Sequence, residues 1–188
     1  MSKARILFQL SGSIAAYKSC HIISRLVQAG TEVRTACTPN ALRFIGTATL
    51  EGLTGHPVFT DAYERGRMMD HIHLAKWADL AILCPASANT INRLASGTAE
   101  DAVGSLFLAF DLASKPYFVA PAMNEAMFRH PATQASLAKL ASWKVRVLPT
   151  DTGHQACGDT GPGRLLDPDK ILHEILTATG LSGENSSL

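Results

Sequence analysis

Short apolar segments alternate with amphipathic stretches along nearly the whole chain, and this alternation limits the fold more than any other feature. Five segments have the length and composition of buried strands: Ile6–Leu10, Glu32–Ala36, Leu80–Cys84, Tyr117–Ala120 and Lys144–Leu148. Strands that alternate with helices predict right-handed crossovers and a parallel sheet covered on both faces. We therefore expect an α/β fold, a single three-layer domain built on a doubly wound parallel sheet of the Rossmann-like or flavodoxin-like kind.

Amphipathic segments between these strands predict the helices. The first runs from Ile14 to Ala29 and ends at Gly30, a residue type that commonly terminates helices. A second helical segment begins near Pro39, where the missing N–H of proline is tolerated. Four more helices are expected over Ser87–Ala95, Ala102–Phe110, Thr133–Ser142 and Pro168–Ala178. One domain then covers residues 1–178, and we expect the tail, residues 179–188, to be disordered.

Composition and charge exclude several classes of protein. The 188 residues suit one domain, and a hydrophobic content of 46% argues against disorder. The 17 basic and 16 acidic side chains leave a net charge of +1 without a basic stripe, which disfavours nucleic-acid binding. No segment reaches the roughly 18 apolar residues of a membrane span, and no signal peptide is visible. The chain is expected to be a soluble domain that acts on small molecules.

The cysteines are widely spaced and form no C-x-x-C pair: Cys20, Cys37, Cys84 and Cys157. This spacing favours reduced thiols in the cytoplasm over a disulfide framework or a zinc site. Cys157 falls within the polar, glycine-rich segment Thr150–Arg164, which we expect to be a loop without secondary structure. A thiol there would be poorly buried, so a reactive role and an accidental occurrence are both open.

In doubly wound sheets, ligands bind beyond the carboxyl ends of the strands, near the point where strand order reverses. The segment Ser11–Lys18 places one glycine and two serines at the start of a helix, an arrangement that suits a phosphate. Only Gly12 of a G-x-G-x-x-G pattern is present, and the second strand leads into Cys37–Asn40 without an acidic residue for a ribose. This favours a mononucleotide over a dinucleotide, with a tight turn and a serine cap as the alternative.

The segments after the third and fourth strands also carry polar side chains. Ser87, Asn89 and Thr90 could form a second site for an anion or a ring edge, or Ser87 could simply cap a helix. Asn124 offers a donor and an acceptor at a predicted helix start, which suits a carboxylate or an amide. Met123 precedes it and is compatible with ordinary core packing.

Two histidines stand close together at His71 and His73. If this segment is extended, both face the same side. No third potential ligand lies at a sequence spacing typical of metal sites, so a metal site is disfavoured. A single catalytic histidine would suit proton transfer, because its pKa lies near neutrality, while a structural role stays open.

Five segments in this order resemble the homo-oligomeric flavin-containing cysteine decarboxylases, and within that family the phosphopantothenoylcysteine decarboxylases. They are Ser11–Lys18, His71–Asp79, Ala88–Thr90, Pro121–Met127 and Gln155–Gly158. The resemblance extends over about residues 4–175, and any one segment would be weak without the others.

The resemblance implies FMN as the cofactor, no metal, and a set of site residues. The cofactor-binding residues would be Gly12, Ser13, Ile14, Thr38, Asn40, Phe44, Ser87, Asn89 and Thr90, partly across a subunit boundary. His71 would be the acid/base beside the flavin, and Asn124 would bind the substrate carboxylate next to Ala122 and Met123. Cys157 would serve the second, reductive half of the reaction.

The implied reaction is decarboxylation of 4′-phosphopantothenoylcysteine to 4′-phosphopantetheine in coenzyme A biosynthesis, through a thioaldehyde and an enethiol. The resemblance also implies a homotrimer or homododecamer and a synthetase partner, fused or separate. The rival enzyme is a peptidyl-cysteine decarboxylase of peptide maturation, which stops at the enethiol and needs no counterpart of Cys157. Flavin prenyltransferases resemble the chain less at His71 and Asn124, and a non-catalytic regulatory FMN-binding relative is the alternative outside enzymes.

Overall fold

The computed structural model describes residues 3–61, 63–154, 158 and 160–181, and in them a five-stranded parallel sheet forms the centre of the fold. Its strands are β1 (Arg5–Leu10), β2 (Glu32–Cys37), β3 (Leu80–Ala86), β4 (Tyr117–Pro121) and β5 (Arg146–Val147). They lie in the order β2-β1-β3-β4-β5, and every neighbouring pair is parallel. The predicted doubly wound α/β fold is confirmed.

Helices connect the strands and cover the sheet. They are α1 (Ala16–Gln28), α2 (Thr47–Thr54), α3 (Asp70–Trp77), α4 (Ala88–Ser96), α5 (Ala102–Ala109), α6 (Glu125–Arg129), α7 (Pro131–Ser142) and α8 (Pro168–Ala178). The helical segment predicted near Pro39 consists of a 3-10 turn, Ala41–Arg43, followed by α2. Across the described ranges, none of the helices has both the length and the apolar content that crossing a bilayer requires.

Alternate residues of each strand enter two separate hydrophobic clusters, one on each face of the sheet. In β1, Ile6, Phe8 and Leu10 pack on the face that α1, α2 and α8 cover. Leu7 points to the opposite face, where α3, α4, α5 and α7 contribute the apolar side chains. Because β1, β3 and β4 are buried on both faces, their sequences are almost continuously apolar, which made them easy to recognise.

Strand order reverses between β1 and β3. The chain first crosses from β1 to β2 on one side, and it then returns over β1 to form β3 on the other side. Ile6 is accordingly paired with Val33 of β2 and with Leu80 of β3. The loops that leave the carboxyl ends of β1 and β3 therefore diverge in opposite directions and leave a crevice between them.

The fifth strand is shorter than the predicted Lys144–Leu148 because the end of α7 uses the first two residues. The amide of Lys144 donates to Ala141, and the amide of Val145 donates to Leu140, so both close the helix and do not pair with β4. Lys144 also has a φ of 68°, a left-handed conformation that turns the chain towards the sheet.

The prediction of a loop without secondary structure at residues 150–164 was wrong. Strands β6 (Asp151–His154) and β7 (Thr160–Arg164) form an antiparallel hairpin. Its glycines permit close contact: a Cβ at Gly161 would meet the Glu125 carboxylate, and one at Gly163 would lie 2.7 Å from the carbonyl oxygen of Met123. Cys157 lies outside the described residues, as does most of the predicted tail, residues 182–188.

The junction of α4 and α5 provides a test of this packing. A Cβ at the buried Gly104 would lie 2.8 Å from Cα of Ala99 and 2.9 Å from the carbonyl oxygen of Thr98. Since both contacts are with backbone, we expect Gly104→Ala to lower the free energy of unfolding by about 1–3 kcal/mol. Denaturant titration of the purified variant measures this change.

Gly52→Ala is the matched control, because Gly52 lies exposed in α2 and a Cβ there meets nothing within 4 Å. The added methyl reduces the entropy of the unfolded chain, so this variant should gain about 0.5–1 kcal/mol. A loss of stability in both variants, or in neither, would contradict the packing described for Gly104.

Candidate functional site

The ends of β1 and β3 are joined by hydrogen bonds of one buried residue, Ser11, at the point where strand order reverses. Its hydroxyl donates to the carbonyl of Pro85 at 2.7 Å and accepts from the amide of Ser87 at 2.8 Å. Its own amide donates to the same Pro85 carbonyl at 3.2 Å. In the sequence, Ser11 is only one of two serines before a predicted helix, and its role in joining β1 to β3 gives no local signal because its partners are more than 70 residues away along the chain.

The loop after β1 carries the predicted phosphate-binding residues Gly12, Ser13 and Ile14. α1 begins at Ala16, and its cap position, Ala15, has no capping side chain. The alternative of a tight turn with a serine cap is borne out in part, because the Ser13 hydroxyl accepts from the Ala15 amide at 3.2 Å within the turn that leads into α1. Among the described residues, the amides of Gly12, Ser13 and Ile14 have no acceptor, so three N–H groups lie in series before a helix.

The loop after β2 lies against this turn and carries Thr38, Asn40 and Phe44. A Cβ on Gly12 would lie 2.8 Å from Cβ of Asn40, so the two loops touch at a position that only glycine fits. Thr38 is buried, and its hydroxyl accepts from the Ala41 amide at 3.2 Å. The Phe44 ring is 48% exposed. Thr38 therefore shapes the loop, whereas Phe44 presents apolar surface.

The loop after β3 contains Ser87, Asn89 and Thr90. The Ser87 hydroxyl caps α4 by accepting from the amide of Thr90, and it also contacts the Thr90 hydroxyl at 3.2 Å. The capping alternative is thus confirmed, and Thr90 is buried. Asn89 is exposed in the first turn of α4.

The segment after β4 carries Ala122, Met123 and Asn124. Asn124 caps α6 by accepting from the Ala126 amide at 2.8 Å, as its predicted place at a helix start required. The amide of Ala122 donates to Ala86 of β3, and the amide of Met123 donates to Gly163 of β7 at 2.8 Å. Asn124 is therefore held between the sheet edge and the hairpin.

His71 and His73 lie in α3, so the extended conformation that would place both on one side was wrong. Two residues apart on a helix, their side chains point about 200° apart. His71 is partly buried, and its Nδ1 has no partner among the described residues. His73 is exposed and lines a pocket of about 270 Å³ together with Arg34 and Asp70.

The geometry of α3 explains where His71 lies. The helix ends at Trp77, directly before the first residues of β3, and the backbone amide of Asp79 donates to the carbonyl of Arg5 at the start of β1. Its first turn therefore points towards the carboxyl ends of the strands, about 12 Å along the helix axis. The helix was not recognised from the sequence, because its buried residues, Leu74 and Ala75, are consecutive and do not show helical spacing.

Two of the described cysteines are unreactive. Burial raises the pKa of Cys37 and of Cys84 to about 12, so both remain protonated thiols at neutral pH. Within the described part of the chain, no group of three or more His, Cys, Asp or Glu residues is placed to hold a metal ion.

The structure thus brings the loops after β1, β2 and β3 together around the crevice, with Asn124 at the neighbouring strand end. Free amides, small hydroxyls and an exposed aromatic ring can hold a phosphate and the edge of a planar ring without charged side chains. His71, in the first turn of α3, is a candidate for proton transfer.

Comparison with known proteins agrees with this architecture. The bifunctional coenzyme A biosynthesis protein CoaBC of Escherichia coli (strain K12) is 45% identical over 170 residues, which are 89% of this chain and 41% of that protein. This chain therefore spans about two-fifths of the length of that curated relative. A PPC decarboxylase mutant in complex with pantothenoylaminoethenethiol matches with a TM-score of 0.82 and 31% identity, over 94% of this chain and 98% of that chain.

A second solved structure, the FMN-binding protein AtHal3, matches with a TM-score of 0.83 and 30% identity, over 97% of this chain and all of its own. The family model described as Flavoprotein matches residues 1–180. The match covers every element of the fold and every loop that forms the crevice. This chain therefore belongs to the flavoprotein family.

Proposed function

We propose that this chain binds FMN and decarboxylates 4′-phosphopantothenoylcysteine to 4′-phosphopantetheine, a step of coenzyme A biosynthesis. The observation that carries the proposal is the match to 98% of a PPC decarboxylase chain at 31% identity. It is supported by the placement of Asn124 at the strand ends and of His71 in a helix turn that points towards them.

The residues around the crevice fit FMN. The three amides of Gly12, Ser13 and Ile14 suit its phosphate, since each is a donor without a protein acceptor among the described residues. Ile14 and Phe44, 62% and 48% exposed, offer apolar surface to the ring system, with Thr38 and Asn40 in the adjoining loop. Ser87, Asn89 and Thr90 lie across the crevice from these groups.

When bound, FMN supplies reversible acceptance of hydride from the cysteine β-carbon, which creates the electron sink that decarboxylation needs. Asn124 would hold the substrate carboxylate next to Ala122 and Met123 through its amide group. His71 would exchange a proton with the substrate, because an imidazole ring can both donate and accept a proton. Cys157 remains the proposed proton donor of the reductive half-reaction and lies outside the described residues.

The finer points of assembly and location are also proposals. Exposed apolar side chains, Ile14, Tyr17 and Phe44, support a homo-oligomer, trimer or dodecamer, in which a second subunit covers the apolar surface that FMN leaves exposed. The relative CoaBC is named as bifunctional, which supports a fused or separate synthetase as partner. The free thiols Cys20, Cys37 and Cys84 support the cytoplasm.

A product assay tests the proposed function. The FMN-loaded protein is incubated with 4′-phosphopantothenoylcysteine, and products are identified by mass spectrometry. We expect 4′-phosphopantetheine. Accumulation of only the enethiol, or activity only on peptides that end in cysteine, would favour a peptidyl-cysteine decarboxylase, and no turnover of either substrate with FMN bound would favour a non-catalytic relative.

Replacement of His71 tests the catalytic assignment. His71→Asn should keep the fold and bound FMN but lower kcat by about 100- to 10,000-fold, the range expected for the loss of a general acid/base. The matched control is His73→Asn, because His73 lies two residues away on another side of α3 and is exposed. Equal activity of the two variants would contradict a catalytic role for His71.

Replacement of Gly12 tests the proposed FMN site. The Cβ of Gly12→Ala would displace the Asn40 loop, 2.8 Å away, and we expect FMN affinity to fall at least about tenfold. Quenching of flavin fluorescence by the apoprotein measures this affinity. Gly52→Ala serves as the control with unchanged affinity, and tight FMN binding by Gly12→Ala would contradict the assignment of these loops.

A further inference from the structure

The hydrogen bonds of Ser11 have only one possible direction. A carbonyl oxygen can only accept, so the Ser11 hydroxyl donates to Pro85, and a backbone amide can only donate, so Ser87 donates to the Ser11 oxygen. Ser11 is fully buried, so its hydroxyl is shielded from bulk solvent. The Ser11 hydroxyl therefore acts both as a donor and as an acceptor to other groups of the protein.

These bonds act at the start of two loops. Gly12 follows Ser11 directly, and Ser87 is the cap residue whose own hydroxyl binds the first turn of α4. Loss of the Ser11 hydroxyl would therefore affect both the amides of the loop after β1, which begins at Gly12, and the Ser87 cap of α4 in the loop after β3. The sheet alone does not fix this relation, because the regular pairing of β1 with β3 ends at Gln9 and Leu83, before Ser11 and Pro85 are reached.

We propose that Ser11 is a positioning residue of the cofactor site: its hydroxyl holds the loop after β1 and the loop after β3 in the arrangement that receives FMN. The inference rests on the proposed function, since it assumes that FMN binds there. Ser11 does not need to touch the cofactor. It orders both loops before binding, so that less conformational entropy is lost when the ligand arrives.

Ser19 provides a matched comparison. Its hydroxyl is also fully buried and donates to a carbonyl of β3, that of Cys84, at 2.8 Å. It secures α1 to the sheet but accepts from no loop amide among the described residues. Ser11→Ala and Ser19→Ala each remove one buried hydroxyl that is bonded to β3, and only the first releases the Ser87 amide.

The experiment titrates FMN into the apoproteins of the wild type and both variants, following flavin fluorescence, and records the thermal unfolding of each apoprotein. We expect both variants to unfold at lower temperature. Only Ser11→Ala should also bind FMN at least about tenfold more weakly, as the loss of an orienting bond to a buried amide predicts. Ser19→Ala should bind FMN like the wild type.

Each other result has a distinct meaning. Wild-type affinity in Ser11→Ala, or an equal loss in Ser19→Ala, would overturn the role of Ser11 while leaving the proposed function intact. Failure of the wild-type apoprotein to bind FMN would overturn the proposed function itself. If Ser11→Ala does not fold, Ser11→Cys fills the site with a slightly larger side chain that is only a weak hydrogen-bonding group, and the same order of affinities is expected.

Discussion

The reversal of strand order between β1 and β3 is the constraint on which the rest of the structure depends. Because one crossover leaves β1 towards β2 and the following strand is placed on the opposite side, the loops after β1 and β3 separate at the carboxyl edge of the sheet. Backbone groups at such an edge lose their sheet partners and need others. Ser11 satisfies those of Pro85 and Ser87, and the amides that remain without an acceptor are those available to a ligand.

A site of this kind needs little charge. Its predicted phosphate-binding residues are glycine, serine and isoleucine, and its strength would come from aligned N–H groups at the start of α1. Several of the arginines are paired with carboxylates away from the crevice, as Arg5 is with Asp79 and Arg146 with Glu174. The net charge of +1 is thus compatible with binding an anionic cofactor.

Local patterns predicted the parts of the fold that local physics determines. Continuous apolar runs identified β1, β3 and β4 because these strands are buried on both faces, and Gly30, with a φ of 85°, marked the end of the first helix. Loops after strands could be named as candidates because parallel strands bring their ends to one edge. The five-segment resemblance supplied the cofactor, which the spacing of Gly12 alone did not.

The features that could not be predicted from the sequence depend on contacts between distant parts of the chain. The glycines of the hairpin favoured a loop without secondary structure, whereas Gly161 and Gly163 are required where β7 packs on Glu125 and Met123. The helical position of His71 depends on burial of Leu74 against the sheet, and a short segment rich in histidine gave no clear period. Ser11 has no local signal, because its partners are brought to it only by the parallel pairing of β1 with β3.

The central claim is that this crevice binds FMN and thereby permits decarboxylation. The most direct measurement uses 4′-phosphopantothenoylcysteine isotopically labelled at the cysteine carboxyl carbon, and it compares labelled CO₂ release by FMN-loaded and FMN-free protein. The account predicts labelled CO₂ and 4′-phosphopantetheine in equal amounts from the loaded protein and neither from the FMN-free protein. Release of CO₂ without FMN, or none from the loaded protein, would contradict it.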